Sequence, residues 1–340
     1  MSVEVLTEDA ALHALRPVWE ALWRRAAERA TPFQSPAWLL AWWRAFGTGR
    51  PRVAALRGDG GRLLGLLPLY LLTEDSGTKL LPIGIGVSDY LDAVLDPDAP
   101  PDAAARLLAA ALAASPEAAC CDFVGLPPGA ALREAAVPPG WRDEGVRPSE
   151  PCPVLALPSG AGLSEVLSRR RRAALRNAHN RAERAGGIAV QTADAGTLDA
   201  CLDALVALHC ARWDARGQPG GVLADPRVLA LHREAAPGLL AAGALRLQVL
   251  RLGGVPAAAQ YALLGGGGHR VLLYLSGFDA ARARESPGAI LLGELIAWAL
   301  AEGWRELHFL RGDEDYKYAW GAADRFNAAR RLVPERNPPT

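Results

Sequence analysis

One element order, strand, helix, helix, three strands, helix, strand, occurs twice in this chain, and that repetition constrains its fold more than any other feature. In the first pass, residues 3–6 read as a strand, 10–30 and 36–46 as helices, and 52–57, 63–71 and 90–95 as strands. Helix 102–114 and strand 121–124 complete it. Gly58-Asp59-Gly60-Gly61 links two of the strands as a hairpin signal. The second pass follows a proline-rich join at 148–158. Its first element is an arginine-rich helix, 163–185, stopped by Gly186-Gly187. Strand 188–191, helices 197–216 and 226–242, strands 245–252, 255–264 and 270–276, helix 287–302 and strand 306–310 then repeat the order. A period this long implies two similar domains rather than a solenoid. We expect them at 1–150 and 158–335, each an α/β (α+β) unit with a mixed sheet flanked by helices.

Length and charge agree with that division. A chain of 340 residues is long enough for two cores. Its 37 basic and 37 acidic residues balance, so the overall field gives no argument for DNA or a membrane surface. No apolar run is long enough to span a bilayer, and no basic, apolar leader opens the sequence, which reads as cytoplasmic. Five cysteines without C-x-x-C spacing read as reduced, buried thiols rather than metal ligands.

Three segments carry chemistry. The first is 309–321, FLRGDEDYKYAWG. The chain has two lysines, Lys79 and Lys317, and the second lies here among Asp313, Tyr316 and Trp320. Where arginine serves nearly every cationic position, a lysine is a candidate for reading phosphate or a developing oxyanion as a point charge. The competing reading is a polar turn after an edge strand, with Trp320 anchored in the core.

The second segment runs from strand 270–276 through Ser276 and Gly277 into Ser286-Pro287-Gly288-Ala289, a helix start. Ser286 suits the N-cap and Pro287 the first turn. Free N–H groups there can hold a phosphate or pyrophosphate. The third segment is His209-Cys210-Ala211-Arg212-Trp213, whose His209 and Trp213 share a helix face and either line a cleft or pack on each other. Arg169 to Arg172, Arg176, Arg181 and Arg184 make one strongly basic helix, read as a solvated face or, in the minority, as a surface for RNA or another phosphate-rich ligand.

These segments, with Gly277-Phe278-Asp279, resemble the GNAT-like acetyltransferases of exopolysaccharide and cellulose biosynthesis, the CelD/BcsL type. Those are related to the Fem-type transferases that join amino acids to peptidoglycan precursors. The resemblance covers about 158–322. It implies a tandem pair of GNAT-like domains with mostly antiparallel sheets, and an N-acyltransferase passing an acyl group from acetyl-CoA to the amine of a small molecule or amino sugar. On that resemblance Ser286, Pro287, Gly288 and Ala289 hold the pyrophosphate of the co-substrate. Backbone N–H groups around Ser276 and Gly277 face the oxyanion. Asp313 takes the amine proton, Tyr316 protonates the leaving thiolate, and Lys317 meets phosphate. His209, Arg212, Trp213, Tyr261 and Trp320 contact the acceptor. Aminoacyl-tRNA is the alternative donor, on the Fem side of the kinship, and a non-catalytic scaffold for polysaccharide assembly is a third reading. The chain departs from the GNAT loop pattern at Pro287, where the first glycine belongs.

Overall fold

The structure, a computed structural model, describes residues 1–335 and divides into two compact units. In chain order the first holds β1 (Ser2–Leu6), α1 (Asp9–Ala14), α2 (Arg16–Arg25), α3 (Pro36–Phe46), β2 (Arg50–Arg57), β3 (Leu63–Glu74), β4 (Gly77–Pro82), β5 (Val94–Leu95), α4 (Ala103–Ala113), β6 (Cys120–Leu126), α5 (Ala131–Glu134) and β7 (Trp141–Pro151). The second holds β8 (Val154–Ala156), α6 (Leu163–Val166), α7 (Arg169–Arg184), β9 (Ile188–Thr192), α8 (Leu198–Asp214), α9 (Pro226–Ala241), β10 (Leu245–Leu252), β11 (Val255–Gly265), β12 (Arg270–Phe278), α10 (Pro287–Ala301), β13 (Glu306–His308) and α11 (Asp315–Tyr318). The chain then returns to the first sheet as β14 (Phe326–Pro334).

The repetition read from the sequence is a repetition of topology. The first sheet contains the order β1-β2-β3-β4-β6, and the second β9-β10-β11-β12-β13. In each, the first four strands pair antiparallel and the last joins parallel. A parallel pair needs a crossover, which α4 and α10 supply. Both are Ala/Leu-rich and lay a buried face on their sheet: Leu107, Leu108 and Leu112 in α4; Ile290, Leu291, Leu295 and Ile296 in α10. Burying each such side chain contributes roughly 1.5–3 kcal/mol, so these faces fix the helices to the sheets.

The elements differ from the sequence reading where local chemistry was overlooked. The fourth strand of the first sheet is β4, not 90–95, of which only β5 pairs, on β3. A two-residue turn, Asp75-Ser76, closes β3 on β4, and Gly77 takes φ 115°. The helix expected over 10–30 is two helices, because Pro17 in the first turn of α2 cannot extend α1. Helix 163–185 is likewise divided: Ser168 accepts from the Arg171 N–H at 3.2 Å and starts α7 afresh.

The end of the second domain also differs from the expected 158–335. The second unit is Pro151–Arg325, and β14 pairs with β6 in the first sheet. Arg330 of β14 is buried there, donating to the carbonyls of Leu132 and Ala135 and pairing with Asp143 at 2.8 Å. Asn327 donates to the Asp89 carbonyl at 3.0 Å.

Candidate active site

A short ladder creates the opening in the second unit. β12 meets β13 at three positions only, Arg270–Glu306 to Leu272–His308. Just beyond, β12 carries a bulge: Tyr261 faces Leu275 and Ala262 faces Leu273, which leaves Tyr274 as the extra residue. After His308 the chain leaves the sheet. Beneath the unpaired length of β12 lies a cavity of about 390 Å³. That volume falls within the rough range of 300–1,000 Å³ typical of small-molecule sites.

Six elements wall it. β11 and β12 give Gln260, Ser276, Gly277 and Phe278. The start of α10 gives Ser286, Pro287, Gly288 and Ala289. The turn through α11 gives Tyr316 and Trp320. Arg212 and Arg216, near the end of α8, and Arg171 of α7 complete it. The helix start and the turn after the last inner strand, distant in sequence, therefore share one cavity.

The α10 terminus is built to leave donors free. Ser286 adopts the left-handed conformation at φ 54°, unusual for a residue with a side chain. Its hydroxyl donates back to the Ala283 carbonyl at 3.3 Å rather than capping the helix, so it is an N-cap by position alone. Pro287 is buried and has no N–H. The N–H groups of Ala289 and Ile290 both reach the Ser286 carbonyl. Among the described residues no acceptor meets the Gly288 N–H, which stands at the positive end of a 15-residue helix.

The electrostatics of the cavity are one-sided. Three guanidiniums face it, and no carboxylate lines it. Arg171 lies over the Trp320 ring at 4.8 Å and donates from Nε to the Ala319 carbonyl at 3.0 Å. Arg212 lies over Phe278 at 5.0 Å, and among the described residues its side chain has one hydrogen bond, to the Ser276 hydroxyl at 3.3 Å. Burial lowers the pKa of both from the ordinary arginine value. Tyr316 packs edge-on to Phe309, and desolvation together with the nearby Glu314 pushes its phenol up to about 12, so it is protonated at neutral pH.

Several candidates sit elsewhere. Lys317 is 2 % exposed and spends its ammonium on the protein, donating to the carbonyls of Leu310, Arg311 and Gly312 at 3.2, 2.6 and 3.0 Å and pairing with Glu314 at 2.8 Å. A lysine with all three protons so engaged is not a phosphate reader; it staples a turn in which Leu310 is held at φ 59°. Asp313 is exposed and does not line the cavity, which gives it no place as the base for a reacting amine there.

Tyr261 is fully buried on the other face of the sheet, edge-on to His232 at 5.4 Å and to Tyr274 at 6.3 Å; it is a core residue. His209 lies behind β12, where its Nδ1–H donates to the Ser276 carbonyl at 3.0 Å. Burial lowers its pKa, so the ring is neutral, and its Nε2 faces the turn at Gly221. Trp213 lies beneath both arginines, with Arg216 at 5.4 Å and Arg212 at 5.9 Å. His209 and Trp213 thus support the wall without lining it.

Arg171, Arg216, Phe278 and Gln260 were missed as members of one site. The i, i+4 spacing of Arg212 and Arg216 was the available signal.

Comparison with known proteins agrees with this geometry. Residues 169–318 match the acetyltransferase (GNAT) domain family. FemX superposes over 98 % of this chain and 96 % of its own at 12 % identity, with a TM-score of 0.62. The C-terminal domain of an Agrobacterium fabrum protein assigned as a lysylphosphatidylglycerol synthetase covers 93 % of this chain and 92 % of its own, at 13 % identity and a TM-score of 0.56. A conserved Bacteroides thetaiotaomicron protein of unknown function covers 98 % and 100 %, at 14 % identity and 0.59. No curated protein sequence matches the chain. The fold is therefore a tandem of GNAT-like units, with a GNAT-type acyltransferase fold in the second. No described helix is long and apolar enough to cross a membrane, and no described cluster of side chains could hold a metal ion.

Proposed function

We propose that the second unit is an N-acyltransferase that takes an acyl group from acetyl-CoA and passes it to the amine of a small molecule or amino sugar, in keeping with the resemblance to enzymes of polysaccharide assembly. The observation that carries this reading is the convergence of the α10 N-terminus and the Tyr316–Trp320 turn on one cavity under the splayed end of β12. The co-substrate would supply a thioester carbonyl carbon: the amine nitrogen bonds to it, the carbon–sulfur bond breaks, and the thiolate leaves.

The chain's residues have definite parts in that reaction. The free Gly288 N–H, with the partial positive charge of the helix end, receives a phosphoryl group. Ser286 and Ala289 flank it on the wall, and Pro287 fixes the first turn. The unpaired side of β12 around Ser276 and Gly277 offers backbone N–H groups toward a developing oxyanion, an arrangement that supplies roughly 3–4 kcal/mol in acyl-transfer sites. Tyr316, protonated across the neutral range, hands its proton to the leaving thiolate. The amine loses its own proton to water, since no carboxylate or imidazole lines the cavity. Trp320 and Phe278 close the apolar walls around the reacting groups.

Isothermal titration with acetyl-CoA tests the reading. Binding in the micromolar to millimolar range, abolished by Gly288→Glu, is expected. Absence of binding at millimolar ligand, or unchanged binding in that variant, overturns it.

One observation favours a second reading, transfer from an aminoacyl-tRNA. On α7, Arg169, Arg170, Arg176, Arg181 and Arg184 are all exposed, and the Nε of Arg181 rests on the Arg284 carbonyl, extending the cationic strip toward the start of α10. Filter binding across a salt series decides: phosphate contacts give an affinity that falls steeply with salt, and no retention at low salt removes the idea.

A further inference from the structure

The cavity wall carries two separate features suited to anions. The first is the α10 terminus, where the Gly288 N–H is free. The second is Arg212 on α8, hydrogen-bonded to the Ser276 hydroxyl and with its guanidinium carbon 5.0 Å from the centre of the Phe278 ring. Arg216 stands one turn further along, and both stack on Trp213. Arg212 is half-buried, and among the described residues no carboxylate approaches it within ion-pair distance. Its Nε is buried and meets no acceptor.

Among the described residues the two fully buried arginines are matched, and Arg172 and Arg246, whose Nε is also without an acceptor, do not line this cavity. Arg330 has Asp143 and two carbonyls, and Arg52 has Glu117. Glu314, the acid whose field reaches Arg212, is already engaged with Lys317 at 2.8 Å. A desolvated guanidinium without a counter-charge is costly to keep folded, and a ligand anion removes that cost.

Resting on the acyl-transfer reading above, we propose that the acceptor carries an anionic group, carboxylate or phosphate, beside its amine, and that Arg212, backed by Arg216, is the residue that selects it. A planar guanidinium presents two parallel N–H groups to a carboxylate or phosphate oxygen pair, which gives orientation as well as attraction. The Phe278 ring and the Ser276 hydroxyl hold that fork at the cavity wall. Arg171, on the Trp320 side, adds positive charge without a matching acid. The acceptor amine is thereby placed against the bulged length of β12, while the donor's phosphates keep the α10 end.

Calorimetric titrations of the full-length protein test this. The probes are ethanolamine, β-alanine and phosphoethanolamine, and the pair glucosamine and glucosamine 6-phosphate. Each is titrated with and without saturating acetyl-CoA, into wild type and Arg212→Gln. The expected result is that at least one probe with an anionic group binds wild type roughly tenfold or more tighter than its counterpart lacking that group, the scale of one charge-assisted contact. That preference falls below about threefold in Arg212→Gln, while the acetyl-CoA affinity stays within about twofold. β-Alanine against phosphoethanolamine separates a carboxylate from a phosphate.

Equal binding of the probes with and without the anionic group, or no binding by any of them, overturns the proposal. So does an Arg212→Gln variant that loses acetyl-CoA instead, because the arginine then serves the donor. Failure of wild type to bind acetyl-CoA sinks the acyl-transfer reading separately, since the anion preference is also read in its absence. Thermal melting of Arg212→Gln against wild type shows that the variant is folded, and Arg212→Lys, which keeps the charge without the fork, recovers only part of the preference.

Discussion

A Cβ built on Gly277 would lie 2.4 Å from the backbone nitrogen of His209. Strand β12 and helix α8 therefore touch backbone to backbone, and that contact sets where Arg212, three residues after His209, meets the cavity. The glycine serves the packing of the scaffold rather than the approach of a ligand.

Gly277→Ala is expected to cost about 1–3 kcal/mol, the usual price of forcing a methyl group into a filled contact. Gly288→Ala makes the contrast: its Cβ would meet Phe278 at 3.6 Å, an ordinary contact, so stability should stay within about 0.5 kcal/mol. Urea denaturation of the two variants checks both values. Equal stability of the two would show that α8 and β12 have room to spare.

Lys317→Met should destabilise the second unit by roughly 2–4 kcal/mol, because it strands the carbonyls of residues 310–312 without donors in a buried turn. Glu314→Gln should cost much less, since that carboxylate is 56 % exposed. Chemical denaturation of both variants decides, and a Lys317 variant as stable as wild type would return this side chain to the list of ligand contacts.

Tyr316→Phe should lower kcat about a hundredfold while leaving the affinity for acetyl-CoA unchanged, if the phenol protonates the leaving thiolate. The proton is needed on the phenol, so activity dependent on it is lost only as pH rises through about 12. A pH–rate profile with no alkaline limb assignable to Tyr316 below pH 10 is expected; a limb near neutrality that vanishes in the Phe variant contradicts the assignment.

Glu306 supplies a pH dependence of stability. The hydrogen bond from the buried His308 at 2.9 Å, with Arg325 behind it, holds this carboxyl down at about 2. A depressed acid stabilises the fold above its ordinary value and loses that contribution as pH falls toward the folded one. The second unit should therefore lose on the order of 3 kcal/mol between about pH 4.5 and 2. Glu306→Gln should flatten that part of the stability curve, as read by thermal melts across the acid range; an unchanged curve refutes the pairing.

The repeat was legible because each of its elements has a strong local signature. Alternating or continuous apolar runs mark strands, and Ala/Leu runs closed by glycine mark helices. What failed was connection. β4 hides behind a two-residue turn, and β14 looks like a tail of the nearer unit although its Arg330 and Asn327 find their partners in the farther one.

The site was half legible for the same reason. Ser286 to Ala289, Tyr316, Trp320 and Arg212 belong to motifs and do meet at the cavity. Lys317 drew attention by its rarity, which says nothing about where its side chain points. Its partners are carbonyls, and backbone acceptors leave no trace in a sequence. Tyr261 and Gln260 are neighbours on one strand, yet the pleat sends one to the core and the other to the cavity.

The return of β14 has a consequence for biosynthesis. The sheet that begins at Ser2 lacks an inner member until Phe326 to Pro334 has left the ribosome, after every residue of the other unit. At about 5–20 residues per second, roughly 10–40 s pass in which β6 has an open flank. A nascent first unit in that interval presents an unpaired edge to chaperones and to other chains, so its sheet closes only after the second unit has been translated, although most of its strands are made earlier.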